Sequence, residues 1–324
     1  MTEEILENLY RIKIPLPGIP LRSLNSYVIK AAEQNLIIDT GMNRQECMDA
    51  MQAGLTELGV NLSKTSFFIT HSHADHLGLV PNLAVDTSKV YFNQPDADRI
   101  KYAGRWDDSV DFARMHGFPE GDLQRLLQSH PAYKYGQEDN PDFHILREGD
   151  TIEIGDYLFR CVATPGHTPG HMCLYEPNKK VLVAGDHILS DITPSIQLWS
   201  HGRNPLEEYL ASLDKVQKLD IQLVLPGHRE FVRSCRERIQ ELKHHHERRT
   251  DEVLSILEKG SQSAFQVASQ MTWDVACDSW NSFPLMQKWF ATGEAIAHLK
   301  YIEEKGLARG EMWGENVLFS LNKY

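Results

Sequence analysis

A chain of 324 residues with 41% hydrophobic and 24% charged side chains has the composition of a globular protein, and its length suits one large domain with an appendage, or two domains. Its 33 basic and 45 acidic residues leave a formal net charge of −12, which repels nucleic acid and anionic membrane at long range unless a local basic patch intervenes. Cys47, Cys161, Cys173, Cys235 and Cys277 form no CxxC pair, so reduced thiols are expected rather than a disulfide framework or a sulfur-ligated zinc site. The acidic opening MTEEILENLYR lacks the layout of a secretory leader, and no apolar run approaches bilayer-spanning length. A cytoplasmic protein without a membrane partner is the expectation.

In chain order, SYVI and NLIIDTG read as short buried strands, the second closing on Gly41. Asn43 with Glu46 three residues later resembles a capping pair, and Met48, Met51, Leu55 and Leu58 fall at helical spacing up to Gly59, which ends the helix. TSFFIT is the next strand. Directly after it comes ITHSHADHLG, residues 69–78, with three histidines and an aspartate crowded together. Neutral imidazole and carboxylate are the ligands that Zn²⁺ and similar divalent ions prefer. The cluster also sits past a strand's carboxyl end, where sites form in open α/β sheets.

KVYFNQ is another strand, after which residues 96–148 turn polar and helical, as an insertion between core elements. Leu123, Leu126 and Leu127 give it one apolar face; Pro119, Pro131, Gly136 and Pro141 interrupt it. DTIEIGDYLFRCVATPG reads as a hairpin turning at Gly155 and Asp156, followed by HMCLYE and KVLVAGD around a Pro177-Asn178 turn. A helix near residues 205–218 precedes the last core strand, IQLVLPGH. From about Arg233 the pattern is helical, ending in KGLARGEMWGENVLFSL, two β-rich runs around Trp313-Gly314-Glu315. Helices followed by a hairpin predict a winged-helix-like domain over residues 241–324, after a first domain over 1–240. Neither a repeat nor a low-complexity tract is evident.

A two-ion site needs more ligands than one loop supplies, and three further places set His or Asp after a strand with glycine allowing close backbone approach. They are TPGHTPGH with His167 and His171, LVAGDH with Asp186 and His187, and LVLPGHRE with His228. The remaining histidines read as ordinary packing or solvated residues: His116, His130 and His144 in the insertion, and His201 and His298 without partners in sequence. His244, His245 and His246 form a run on a helix, where successive side chains point in different directions, and read as a solvated face or domain junction.

The ordered set HxHxDH, PGHT, GD after an apolar strand and PGH after another resembles the metallo-β-lactamase superfamily, in the seven-ligand form of its glyoxalase II-type hydrolases. The resemblance covers about residues 23–232. It implies an α/β fold, a four-layer αββα sandwich. By motif, His71, His73 and His167 correspond to the ligands of one ion; Asp75, His76 and His228 to those of a second; and Asp186 to the bridging carboxylate. His171 and His187 fall outside this ligand set, His171 as a support from behind the ligands, while Asp39 in IIDTG matches a position that braces the histidine loop.

The chemistry implied is that of two divalent ions about 3.5–4 Å apart sharing a bridging water whose pKa drops from about 15.7 toward about 7, giving hydroxide as nucleophile. A docked carbonyl or phosphoryl oxygen is polarised, and Asp75 passes a proton toward the leaving group. Zinc is the expected metal, with iron and manganese as alternatives.

The favoured reading is a dinuclear hydrolase of a small ester or thioester. Alternatives are a phosphodiesterase or ribonuclease of the same fold, a mono-iron persulfide dioxygenase, and a winged-helix regulator with a sensory metal site. Aromatic residues of the variable regions, Trp106, Phe112, Phe118, Tyr133 and Trp199, are candidates for an acyl pocket. The tail resembles the winged-helix domain attached to some of these hydrolases, most clearly in ATGEAIAHLKYIEEKGLARG. Residues 240–324 carry nine Lys and Arg against twelve Asp and Glu, a net charge of −3, whereas a phosphate-binding face needs a basic stripe. A small-molecule substrate is therefore expected rather than nucleic acid, with a homodimer through the insertion or tail.

Overall fold

The computed structural model describes residues 2–101, 106–129 and 142–322. The side chains of Trp106 and Leu127, together with His130, Pro131, Tyr133, Gly136 and Pro141, lie outside that description. The chain opens with a hairpin, β1 (Thr2–Leu6) and β2 (Leu9–Pro15), turning through Asn8 at φ 62°. Antiparallel pairing continues through β3 (Ser23–Ile29) and β4 (Asn35–Ile38), and β5 (Thr65–Phe68), β6 (Val90–Asn93) and β7 (Phe143–Leu146) then extend the sheet in parallel. A second sheet has the order β12-β11-β10-β9-β8. It is built from β8 (Thr151–Ile154), β9 (Tyr157–Ala163), β10 (Met172–Glu176), β11 (Val181–Gly185) and β12 (Leu223–Pro226), with only the β11–β12 pair parallel.

The two sheets face each other because their strands alternate. Tyr27, Ile29, Leu36, Ile38 and Phe68 share one apolar cluster with Phe159, Cys161, Leu174, Val183 and Leu225 of the second sheet. Their neighbours Val28, Ile37 and Phe67 turn the other way, onto Cys47, Met51 and Leu55 of helix α1 (Gln45–Leu58). A slip of one residue would exchange these two faces, so the register is fixed by burial worth roughly 1.5–3 kcal/mol per large apolar side chain. On the outer side of the second sheet, Ser212 and Lys215 of helix α7 (Pro205–Val216) donate to the carbonyls of Pro165 (2.8 Å) and Ala163 (2.7 Å). This is the metallo-β-lactamase sandwich that the motifs imply.

Between these elements lie α2 (Ala74–Leu77), α3 (Val80–Leu83), α4 (Gln94–Lys101), α5 (Trp106–Met115) and α6 (Glu120–Ser129). Two local expectations are corrected. Helix α1 begins after Arg44, which has no side-chain capping bond, while the Asn43 amide oxygen instead accepts from Asn82 Nδ2 at 3.2 Å. The segment expected as an insertion is shorter than 96–148: α4 starts within the core, and β7 is a strand of the first sheet, paired with β6.

The chain divides into two compact units. One comprises Met1–Lys101, Lys134–Pro194 and Ser212–Ile239; the other comprises Tyr102–Tyr133, Ser195–Ala211 and Gln240–Tyr324. The second unit thus joins the tail to two segments distant in sequence. Its tail runs through α8 (Cys235–Leu257), which starts in the first unit, then α9 (Ala264–Ala268), α10 (Leu285–Glu304) and the hairpin of β13 (Ala308–Trp313) with β14 (Asn316–Leu321). Ser263 and Gln266 form a capping box at the start of α9. Phe118, Leu123 and Leu126 pack on Trp289 in this unit's own core, and Trp199 stacks on Trp289 with centroids 3.7 Å apart. Among the described residues no helix is long and apolar enough to cross a membrane.

Candidate metal centre

Every residue of the expected site sits just beyond the carboxyl end of a strand. Asp39 follows β4, the histidine loop follows β5, His167 and His171 follow β9, Asp186 follows β11 and His228 follows β12. Backbones can close on this rim only where side chains are absent. A Cβ on Gly227 would lie 2.6 Å from Asp186 Oδ1 and 2.8 Å from His76 Cε1.

Seven side chains meet there in three overlapping groups whose donor atoms lie within 4.8 Å of one another: His71, His73 and His167; His71, His76 and Asp186; Asp75, His76 and His228. His73 Nδ1 is 3.1 Å from His167 Nε2. Asp186 stands between the two triads, with Oδ2 3.7 Å from His167 Nε2 and Oδ1 3.6 Å from His76 Nε2 and 3.5 Å from His228 Nε2. Asp75 Oδ2 lies 3.3 Å from His228 Nε2.

The outward nitrogens of these rings are tied to the fold. Asp39 Oδ2 takes His76 Nδ1 at 2.7 Å, and the Ser23 carbonyl takes His228 Nδ1 at 2.8 Å. Thr70 donates its hydroxyl to Asp39 Oδ2 (2.8 Å), so its oxygen accepts from His71 Nδ1 (3.0 Å). This relay leaves the inward Nε2 of His71, His76 and His228, with Asp186 Oδ1, buried and without hydrogen-bond partners. An unsatisfied buried polar atom costs about 1–3 kcal/mol, and these four, spread over two overlapping donor groups, are of the kind that ligates divalent cations. The donor set suits such ions.

The carboxylates of the site draw positive charge toward it. Burial opposes charge on His76, but Asp39, Asp186 and Asp75 outweigh it and push its pKa up to about 10. Burial likewise opposes charge on Asp75, which His76 and His228 nonetheless hold well below the usual carboxylate range. Burial, joined by the neighbouring rings, drives His71 and His73 well below the usual histidine range, toward the neutral form that binds metal.

His171 has both ring nitrogens engaged: Nδ1 with Thr164 Oγ1 at 2.7 Å, and Nε2 accepting the Asp186 backbone N–H at 3.1 Å. It stands behind Asp186. His187 is fully buried near His171, with ring centroids 6.1 Å apart, and belongs to none of the three donor groups. Several supports carry no sequence signal. Asn25 Nδ2 and Tyr27 Oη both donate to the Pro226 carbonyl, at 3.0 and 2.7 Å, fixing the loop of His228. Asp96, expected in the polar insertion, is fully buried against the histidine loops.

A model of the metallo-beta-lactamase superfamily matches residues 19–228. The chain is 26% identical over 333 residues to a probable metallo-hydrolase, YqjP, of Bacillus subtilis (strain 168), covering 98% of this chain and 99% of that one. It is 26% identical over 243 residues to an atrochrysone carboxyl ACP thioesterase of Aspergillus fumigatus, covering 75% of this chain but only 62% of the length of that relative. Among solved structures, a metallo-beta-lactamase family protein from Thermus thermophilus has a TM-score of 0.82 at 27% identity, covering 98% of this chain and 100% of that one. The matched stretch takes in all seven converging side chains and most of the sandwich that presents them, and this chain belongs to the metallo-beta-lactamase superfamily as a metal-dependent hydrolase.

Proposed function

We propose that this protein hydrolyses a small ester or thioester at a two-ion centre held by His71, His73 and His167 on one side, Asp75, His76 and His228 on the other, and Asp186 between them. The observation that carries the reading is the Asp186 carboxylate, whose two oxygens face the two triads separately. Zinc best suits the all-histidine and carboxylate donors. When bound, such ions acidify water at neutral pH and polarise the oxygen of the bond to be cleaved.

The chain's own contribution is pre-organisation. Asp39, Thr70 and the Ser23 carbonyl hold the ligand rings in one tautomer and orientation before anything binds. His171 holds the Asp186 backbone from behind. Asp75, next to His228, is in this reading the group that carries a proton to the leaving atom. The acyl preference draws support from the similarity to a thioesterase. Helices α8 to α10 with the β13–β14 hairpin have the element order of a winged-helix unit, which we read as packing or dimerisation machinery because its charge does not suit nucleic acid.

Elemental analysis of untagged protein, read with hydrolysis of a thioester, a lactone and bis-p-nitrophenyl phosphate, tests this. Two ions per chain with turnover of the thioester or lactone is the expected result. Turnover confined to the phosphodiester would replace the acyl reading, and one iron without hydrolysis would replace the two-ion one.

A further inference from the structure

Asp96 is the third residue of α4, and its setting first reads as a local cap: Asn93 Oδ1 accepts the Asp96 backbone N–H at 2.9 Å, as an N-cap does. In a capping box the acid would turn back to the cap residue. Here the carboxylate points elsewhere. Oδ2 accepts the Ser72 backbone N–H (2.8 Å) and the Thr168 hydroxyl (2.8 Å), and Oδ1 accepts the Gly170 backbone N–H (2.8 Å). The side chain is fully buried, and the backbones close tightly around it: a Cβ on Gly170 would fall 1.6 Å from Asn93 Oδ1 and 2.7 Å from the Asp96 nitrogen.

The positions of these donors matter. Ser72 lies between His71 and His73, and Thr168 directly follows His167. One carboxylate therefore binds the backbone or neighbour of all three members of one donor group, joining the loop after β5 to the loop after β9. Its hydrogen bonds do not reach Asp75, His76 or His228. Those have their own bracing, through Asp39 to His76 and the Ser23 carbonyl to His228.

We propose that Asp96 is a positioning residue that sets the affinity of the His71–His73–His167 half of the centre independently of the other half. The inference rests on the two-ion reading above. Outer-sphere partners of metal ligands are typically worth about 10–100-fold in metal affinity, and an Asp96→Asn amide must turn an N–H toward one of the three donors.

The test is chelator titration of the zinc-loaded full-length chain, following zinc release together with thermal stability. The wild type is expected to lose zinc in two steps. In Asp96→Asn one step should weaken by about 10–100-fold while the other moves less than about twofold. Thr168→Val, which removes one of the three bonds and keeps the carboxylate, should weaken the same step by a smaller factor; it decides the matter if Asp96→Asn fails to fold. Two steps that both persist unchanged, or that weaken equally alongside a lower melting temperature, would mean that Asp96 is a general structural staple and would overturn the proposal alone. A single release step in the wild type would overturn the two-ion reading and the proposal with it.

Discussion

His73 shows how little of a proposed ligand belongs to the core. Its ring faces His167 across 3.1 Å and stacks edge-on to His71, and it is only partly buried in a loop. Replacing it with alanine should abolish hydrolysis and lower metal content by about one ion per chain, with the far-ultraviolet circular dichroism unchanged. Full activity in that variant would contradict the site. Asp39 acts at one remove: it accepts from the Thr70 backbone, the Thr70 hydroxyl and His76 Nδ1. Asp39→Asn should weaken metal binding about 10–100-fold, measured by zinc retention, without loss of the fold. At this scale the residues that converge were legible because three of the four motifs place a histidine or aspartate beside glycine after an apolar strand. Asp96 was not, since an Asn-x-x-Asp helix start reads as a local cap and nothing in the sequence reports that its carboxylate turns to loops near residues 72 and 168.

Among the elements, the hairpin at Gly155 and Asp156 was readable from alternation and turn chemistry. The β1–β2 hairpin was hidden because its first strand, TEEIL, is acidic and half solvated. The edge strand β7 was hidden by being four residues long, with one buried side chain. Loop geometry yields a sharp expectation at Gly227. Gly227→Ala would press a methyl group into Asp186 and His76, both in packed surroundings where added volume typically costs about 1–3 kcal/mol. The variant should melt lower and bind less zinc; wild-type metal content would show that the loop after β12 yields, contrary to the close packing described.

For the molecule as a whole, the second unit has a titratable interior of its own. His246 Nδ1 and His298 Nε2 face each other at 3.4 Å, both rings buried, with His298 Nδ1 donating to the Glu294 carbonyl at 2.9 Å. Tyr209 and His245 meet the His246 ring edge-on, and Arg249 pairs with Glu294. Burial lowers His298 to about 4, although its bond to Glu294 pulls the other way. A histidine depressed in the fold takes up its proton in the unfolded chain first, so this stability is present above about pH 6.5 and is lost as pH falls toward about 4, at about 1.4 kcal/mol per pH unit. Melting temperature should therefore fall between pH 7 and pH 4.5 more steeply in the wild type than in His298→Leu. Equal slopes would remove His298 from the account.

The sequence by itself determined the sandwich and marked the candidate site residues, because both are written locally: alternation fixes which face of each strand is buried, and each candidate lies in the loop that follows a strand end. Only the tertiary structure decided what joins what. It gathers residues 102–133, 195–211 and the tail into one unit, and it turns His246 inward while its neighbour His244 stays exposed. It also sends Phe118 and Trp199, candidates for an acyl pocket, into a core around Trp289. The physical reason is common to all of these. A side chain's partner across the fold depends on packing among segments far apart in the chain, and no spacing within one segment encodes it.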